Sequence, residues 1–494
     1  MEESDSGHRK LHFVLLPWLG TSHTIPMIDI GRMLAERGVA VTVVMTPANA
    51  ARLSTTISHI ADSGLAIRFV SLPFPSAEAG LPEGCESVDG LPSMDMVPNL
   101  YYASKLLRHP VEVLLRDLTL APSCIVSGSL YSWTPAVARE LGVPCFVFHG
   151  CGTFALFCMH NLYCYKPHES VSSPTEPFTL PDLPFPFEIT RQRLPFQFQL
   201  PPRFVEMFEE TREGRLAMDG IIVNSFDELE PGYAARLSVA SGEEVRSIGP
   251  VSLCCRGSSD MAARGKKPSV EANRCMQWLD SMKPRSVVYV SFGSLASFAS
   301  AQLMELGHGL LASRRPFIWV INGAESLSEE VEQWLQEKLE IKGVDSRCRL
   351  LIRGWAPQVM ILSHPAVGGF MTHSGWNSTL ESVSAGVPVA SWPLFAEQFI
   401  NQKLIVDVLG IGVAVGVDTS VELKQAPEDG ASVTREEVAE AVERLMGGGE
   451  EGEERRRKAK ALAEEARKAV AKGGSSYDNL TLLLESVAKK AKKN

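Results

Sequence analysis

Two histidines stand where the surrounding residues could do chemistry. The first lies in Gly20-Thr-Ser-His-Thr-Ile-Pro26, between the apolar run Leu11–Leu16 and a segment from Ile25 with apolar residues at helical spacing. That spacing places His23 in a loop at the C-terminal end of a strand. A neutral imidazole there can take the proton of an attacking hydroxyl, help worth roughly 10² to 10⁴ in rate. The second lies in His373-Ser-Gly-Trp-Asn-Ser378, after the apolar Val367–Met371 and before helical Thr379–Ala385. Gly375 permits a tight turn, and the helix N-terminus after it presents backbone N–H groups and a positive dipole end to an anion. His373, Asn377 and Ser378 add side-chain donors, which makes a phosphate cradle without a lysine. Glu381 falls on the first helical turn, where it can accept from ribose hydroxyls, and Trp355 is a flat apolar plate for a base. An ordinary N-cap and a core tryptophan would read the same way.

These residues need strands to carry them. Leu11–Leu16, the helical Ile25–Arg37 and Val39–Met45 form a β-loop-α-β unit, the start of a doubly wound sheet. The rhythm returns at Cys124–Val126, Pro144–Phe148 and Gly220–Val223. A second series begins at Ser286–Val290, with a tight loop Phe292–Leu295, a helix Ala301–Ser313 and strands at Pro316–Ile321, Leu350–Ile352 and Ala366–Met371. Leu72–Pro98 and Ser173–Pro202, rich in proline and aromatics, read as long loops over a pocket. Residues 252–269 lack periodicity and read as a linker. Gly447–Lys472 reads as a charged surface helix and Ser476–Lys490 as a final amphipathic helix. The expected architecture is α/β: a domain over 1–251, a second over 270–475, and a C-terminal segment 476–494 packed back on the first. Ligands of open α/β sheets bind beyond the strand C-termini, which puts the chemistry in the cleft between the domains.

Bulk properties narrow the function further. A chain of 494 residues is too long for a single hydrophobic core. A net charge of -10 argues against a nucleic-acid partner. No apolar stretch reaches the roughly 18 residues that a membrane helix needs. Met1–Lys10 is polar and lacks a signal-peptide apolar region, which points to the cytoplasm. The ten cysteines lack C-x-x-C spacing and read as reduced core thiols. No D-x-D pair and no metal-ligand spacing occurs, so no metal and no cofactor are expected. Gly410–Gly416 is not a dinucleotide loop, because the residues between its glycines favour a strand and the spacing is wrong. Ser374 and Ser378 sit in no G-x-S-x-G elbow, which argues against a hydrolase.

The span Trp355–Gln398, WAPQVMILSHPAVGGFMTHSGWNSTLESVSAGVPVASWPLFAEQ, resembles the signature box of plant family 1 UDP-glycosyltransferases almost throughout. Pro26-Met-Ile-Asp29, Leu81-Pro-Glu-Gly-Cys85, Val223-Asn-Ser-Phe226, Trp278-Leu-Asp280 and Ser291-Phe-Gly-Ser294 extend the resemblance to essentially the whole chain and to the subgroup acting on flavonoids, terpenoids and steroids. It implies a GT-B fold of two Rossmann-like domains, with the acceptor in the first and the donor in the second. It implies that Trp355 stacks on uracil and Ala356 meets its edge. Gln358 and Glu381 would hold ribose, and Ser294, His373, Asn377 and Ser378 the diphosphate. Glu397 and Gln398 would hold the sugar. Gln398 and Trp376 both go with glucose, so UDP-glucose is the expected donor substrate. His23 aligns with the family's catalytic base, which implies direct displacement to a β-glucoside; separately, a monomer is expected. The acceptor would be a hydroxylated apolar metabolite, a flavonoid or other phenolic first, lining Leu81–Pro98, Tyr131–Thr134, His149–Leu156 and Pro181–Pro202. A sapogenin acceptor, C-glycosylation and a non-catalytic UDP-sugar binder are the alternatives.

One position departs from the family. The Asp that normally partners the base falls at Gly128, in Cys124-Ile-Val-Ser-Gly-Ser-Leu130. Ser127 or Ser129 could orient His23 instead, or the acceptor could be acidic enough to need little help, or the enzyme could be weak or specialised. On the missing-partner account, Gly128→Asp raises activity on simple phenols.

Overall fold

The computed structural model describes residues 10–199, 201–268, 272–322, 327–340, 348–420 and 431–492. The polar leader up to residue 9, Leu200 in the second long loop, residues 269–271 at the linker's end, and the last two residues therefore lie outside the described residues.

Two parallel sheets carry the chain. The first contains β1 (His12–Leu16), β2 (Ala40–Met45), β3 (Ile67–Ser71), β4 (Cys124–Gly128) and β5 (Cys145–His149). A small antiparallel pair, β6 (Pro177–Thr179) and β7 (Glu188–Thr190), interrupts the series within a segment that reads as loop. The first sheet then closes with β8 (Gly220–Val223) and β9 (Val245–Ser247), in the order β3-β2-β1-β4-β5-β8-β9. The second contains β10 (Val287–Ser291), β11 (Phe317–Ile321), β12 (Arg349–Arg353), β13 (Val367–Thr372), β14 (Val389–Ser391) and β15 (Gly412–Ala414), in the order β12-β11-β10-β13-β14-β15. Gly410–Gly416 thus holds a strand.

Each strand order reverses once, between β1 and β4 in the first sheet and between β10 and β13 in the second. Those reversals open the crevices where ligands bind. His23 follows β1, the Gly293–Ser294 loop follows β10, and His373 follows β13.

Both faces of the first sheet are covered at its centre, so strands such as β1 are buried and apolar on both sides. Val14, Leu16 and Ile125 face one buried cluster, while Phe13, Leu15 and Val126 face another. The C-terminal helix Ser475–Ala491 adds Leu480, Leu483 and Val487 to that second cluster. It is also tied there by Asn479 Nδ2 donating to the Ser247 carbonyl at 2.9 Å. The ten cysteines are unpaired, but Cys164 and Cys348 are exposed and Cys151 is half-buried, so core thiols describe only the other seven. The segment read as a linker contains a short helix, Ser258–Ala263, and packs into the cleft. No helix among the described residues is long and apolar enough to cross a membrane.

Candidate active site

The cleft between the sheets holds a cavity of about 330 Å³. His23, Ser294, Trp355, Ala356, Gln358, His373, Trp376, Asn377, Ser378, Glu381, Glu397 and Gln398 all border it.

His23 is not in a loop. The helix begins at Thr21 and runs to Ala35, which makes His23 its third residue. Gly20, in extended backbone, precedes the first turn without a capping side chain of its own. The acceptor comes instead from Asp89, whose Oδ2 takes the Thr21 N–H and the Thr21 hydroxyl, both at 2.8 Å. Pro26 lies inside the helix and has no N–H to give the carbonyl of Ser22 four residues back. Asn377 of the second domain donates its side-chain amide to that carbonyl at 2.7 Å. The His23 ring lies against Gly150, where a Cβ would sit 3.4 Å from Nδ1. Among the described residues Nδ1 has no hydrogen-bond partner. Burial pushes the ring's pKa down to about 4, with Asp89 pulling the other way. The imidazole is therefore neutral near pH 7, able to accept a proton but a weak base.

Position 128 shows why no carboxylate can occupy it here. A Cβ on Gly128 would lie 2.6 Å from the backbone nitrogen of Trp18 and 2.8 Å from its Cβ. The β1 loop passes too close for any side chain, so a simple gain from Gly128→Asp is not expected. Ser127 cannot serve either: it is fully buried, takes the Thr134 hydroxyl at 2.9 Å and donates to the Gly128 carbonyl. Among the described residues no hydrogen bond joins Ser129 to His23, whose Nδ1 has no partner.

In the second domain the helix starts at Trp376, earlier than the pattern suggests, because Gly375 serves as N-cap. Asn377 and Ser378 consequently lie in its first turn, where backbone N–H groups have no intrahelical acceptor. His373 is wedged between glycines. A Cβ on Gly293 would lie 2.7 Å from its Cε1, and one on Gly375 would overlap Nε2. Burial lowers its pKa to about 4, so it too is neutral and donates from one nitrogen only. Thr372 Oγ1 meets its Nδ1 at 3.2 Å.

Glu381 is held on both oxygens. Oε1 accepts from Arg264 Nη1 at 2.6 Å and Oε2 from Gln358 Nε2 at 2.8 Å. Gln358 also reaches Ser378 Oγ at 3.1 Å. A carboxylate keeps further acceptor sites, so ribose hydroxyls could still be met. Trp355 packs against Gly265, with the Lys266 ammonium 5.7 Å from its ring centre. Ala356 is buried, and its carbonyl accepts the Gln358 N–H at 2.8 Å. Trp376 is only 2% exposed, and its indole N–H donates to the Asn224 carbonyl at 2.7 Å, so its visible work is packing between domains. Gln398 Oε1 accepts the N–H groups of Leu394 and Phe395 at 2.8 and 3.1 Å. Glu397 accepts from Asn401 and bonds Cys151 of the first domain, and burial raises its pKa.

Sequence reasoning missed Asp89 and Arg264. Asp89 lies in a segment read only as pocket loop, and it also accepts from Ser294 Oγ at 2.9 Å. Arg264 lies in the supposed linker, yet it is 9% exposed and bridges Glu381 to Asp29, which its Nε reaches at 2.9 Å. Asp29, Cys254 and Cys255 have ligand atoms within 4.8 Å of one another, a grouping that spacing could not reveal. Arg264 already occupies Asp29, and Arg32 Nη1 reaches Cys255 Sγ at 3.5 Å. Among ionisable groups in the cleft, a neutral imidazole faces a turn of anion-seeking N–H groups. That pairing suits a hydroxyl attacking a centre whose leaving group is an anion.

Comparison with known proteins agrees. Residues 250–432 match the family model described as UDP-glucoronosyl and UDP-glucosyl transferase. The chain is 45% identical over 490 residues to UDP-glycosyltransferase 73C3 of Arabidopsis thaliana, covering 98% of each. It is 43% identical to UDP-glycosyltransferase 73C11 of Barbarea vulgaris, again covering 98% of each. Among solved structures it is similar to Glycyrrhiza uralensis UGT73P12 complexed with glycyrrhetinic acid 3-O-monoglucuronide. The TM-score is 0.88 at 38% identity, covering 98% of this chain and 97% of that one. It is also similar to Phytolacca americana UGT2 complexed with UDP-2fluoro-glucose and pterostilbene. There the TM-score is 0.75 at 25% identity, covering 97% of this chain and 100% of that one.

Proposed function

The chain belongs to the plant UDP-glycosyltransferase family, and from that premise we propose that it moves glucose from UDP-glucose, with inversion, onto a hydroxyl of an apolar phenolic metabolite. The observation that carries this reading is the meeting of His23 with Glu397, Gln398 and the first turn of the Trp376 helix around one cavity. His23 takes the acceptor proton as its oxygen attacks the anomeric carbon. The UDP oxygen leaves toward the helix N–H groups, Ser378 and the neutral His373, donors fixed before the charge develops. Gln398 supports glucose over other hexoses.

A base with a pKa of about 4 helps most when the acceptor is itself acidic, which favours a phenol over an aliphatic alcohol. A triterpenoid acceptor is the second reading, supported by the ligand of the Glycyrrhiza relative. Action in the cytoplasm, as a monomer, without metal or cofactor, belongs to the same proposal. Ten unpaired thiols suit a reducing compartment.

The deciding experiment measures UDP release from UDP-glucose across flavonoids, simple phenols and sapogenins, with His23→Ala alongside. Release that depends on acceptor and disappears in the variant supports the reading and names the acceptor class. UDP-glucose binding without release on any acceptor supports a non-catalytic binder.

A further inference from the structure

The base is left without its usual carboxylate, yet its helix turn is held from within by the Gly20 carbonyl, which accepts the Thr24 hydroxyl at 2.9 Å, and from outside by a carboxylate. Thr21, two residues before His23, is gripped through both its N–H and its hydroxyl by Asp89. The other oxygen of Asp89 takes the Ser294 hydroxyl at 2.9 Å, in the loop after β10 that borders the donor cavity. One carboxylate thus joins the turn that carries the base to the loop expected to meet the diphosphate. No side chain can enter from position 128, where Trp18 fills the space.

We propose that Asp89 is the positioning carboxylate of this enzyme, fixing the His23 turn against the donor loop in place of an acid at position 128. The inference rests on the transferase reading above. Asp89 touches neither reacting atom. It acts through Thr21 and Ser294, and a displacement of about 1 Å at a base can cost on the order of 10²-fold in rate. Burial alone would raise the pKa of Asp89, but Lys266 and the hydrogen bonds from Thr21 and Ser294 hold it below the ordinary carboxylate value. It is therefore an anion at neutral pH, and a charge-assisted acceptor grips its donors more strongly than a neutral one. Ser294 has a single hydroxyl proton, so a diphosphate that took it would release one arm of this tie.

The test compares wild type with Asp89→Ala and Asp89→Asn in three measurements on the full chain. These are kcat at saturating UDP-glucose and acceptor, UDP affinity by calorimetry, and hydrogen exchange of the peptide containing Thr21 to His23. The expected result is a kcat lower by roughly 10- to 100-fold in Asp89→Ala. UDP affinity stays within about threefold, and exchange rises in that peptide and in those holding Asp89 and Ser294 but not elsewhere. Asp89→Asn, which keeps an acceptor but not the charge, falls between. An unchanged kcat, unchanged exchange, or a kcat loss matched by an equal loss of UDP affinity would each overturn the proposal. Should wild type release no UDP with any acceptor, the transferase reading falls, and the exchange comparison alone decides whether Asp89 holds the turn.

Discussion

Asn377 donates its side-chain amide to the carbonyl of Ser22 at 2.7 Å, and that carbonyl is open to it because Pro26, one helical turn on, has no N–H to offer. A residue expected to face the diphosphate is also a clasp between the domains. Among the described residues its Oδ1 has no hydrogen-bond partner, and its amide nitrogen carries a second proton to donate. The turn that carries His23 is thus tied to the second domain through this side chain as well as through Asp89.

Asn377→Ala is expected to weaken kcat/KM for UDP-glucose by roughly 3- to 10-fold, the net worth of one lost hydrogen bond, because water can reach the exposed Ser22 carbonyl. Steady-state kinetics with donor varied at fixed acceptor would show it. A variant within twofold of wild type would mean that the clasp carries no weight.

Gly128→Asp is expected to lose stability and gain no activity. The new Cβ meets the backbone of Trp18, which cannot rotate away, and overpacking of this kind costs roughly 1 to 3 kcal/mol. Thermal unfolding and turnover on a simple phenol measure both. A stable variant with raised turnover would show that the β1 loop can retreat.

The pH profile should be flat on its acid side. The pKa of His23 is depressed by burial to about 4, so the ring stays in its proton-accepting form as pH falls from 8 to 5. Asp89 and His149 are the ionisable groups acting on it: the first raises its pKa, while the second is itself neutral, pushed down to about 3 chiefly by burial. The acid limb of kcat/KM is expected below pH 5, not near the ordinary imidazole value of about 6.5. A limb near 6.5 would show that water reaches the ring.

Arg264→Ala should cost about 3 to 5 kcal/mol of stability, because it strands the carboxylates of Asp29 and Glu381 without their shared cation. Arg264→Met keeps the stem's packing and should cost less. Chemical denaturation of both, with UDP titrated into each, checks the order. Equal stability in all three proteins would mean that water replaces the guanidinium without loss.

Sequence alone determined the elements that obey local rules. Apolar runs such as Leu11–Leu16 and Ser286–Val290 alternate with helical spacing, and that period is enough to specify doubly wound sheets. The span from Trp355 to Gln398 was legible because its residues lie in consecutive short elements, the helix Gln358–Leu362, β13, the helix Trp376–Ala385 and β14, whose turns carry the site. Helix starts were less legible: Thr21 and Trp376 begin helices earlier than their apolar periodicity, because a glycine N-cap carries no side-chain signal. Only the tertiary structure decided what surrounds the base. Asp89 reaches Thr21 across 68 positions and Arg264 reaches Glu381 across 117, contacts that no window of neighbouring residues contains. The absence at Gly128 was visible in one letter, but its reason was not. That reason is the proximity of Trp18 on an adjacent strand's loop, and steric exclusion exists only once two strands are laid side by side.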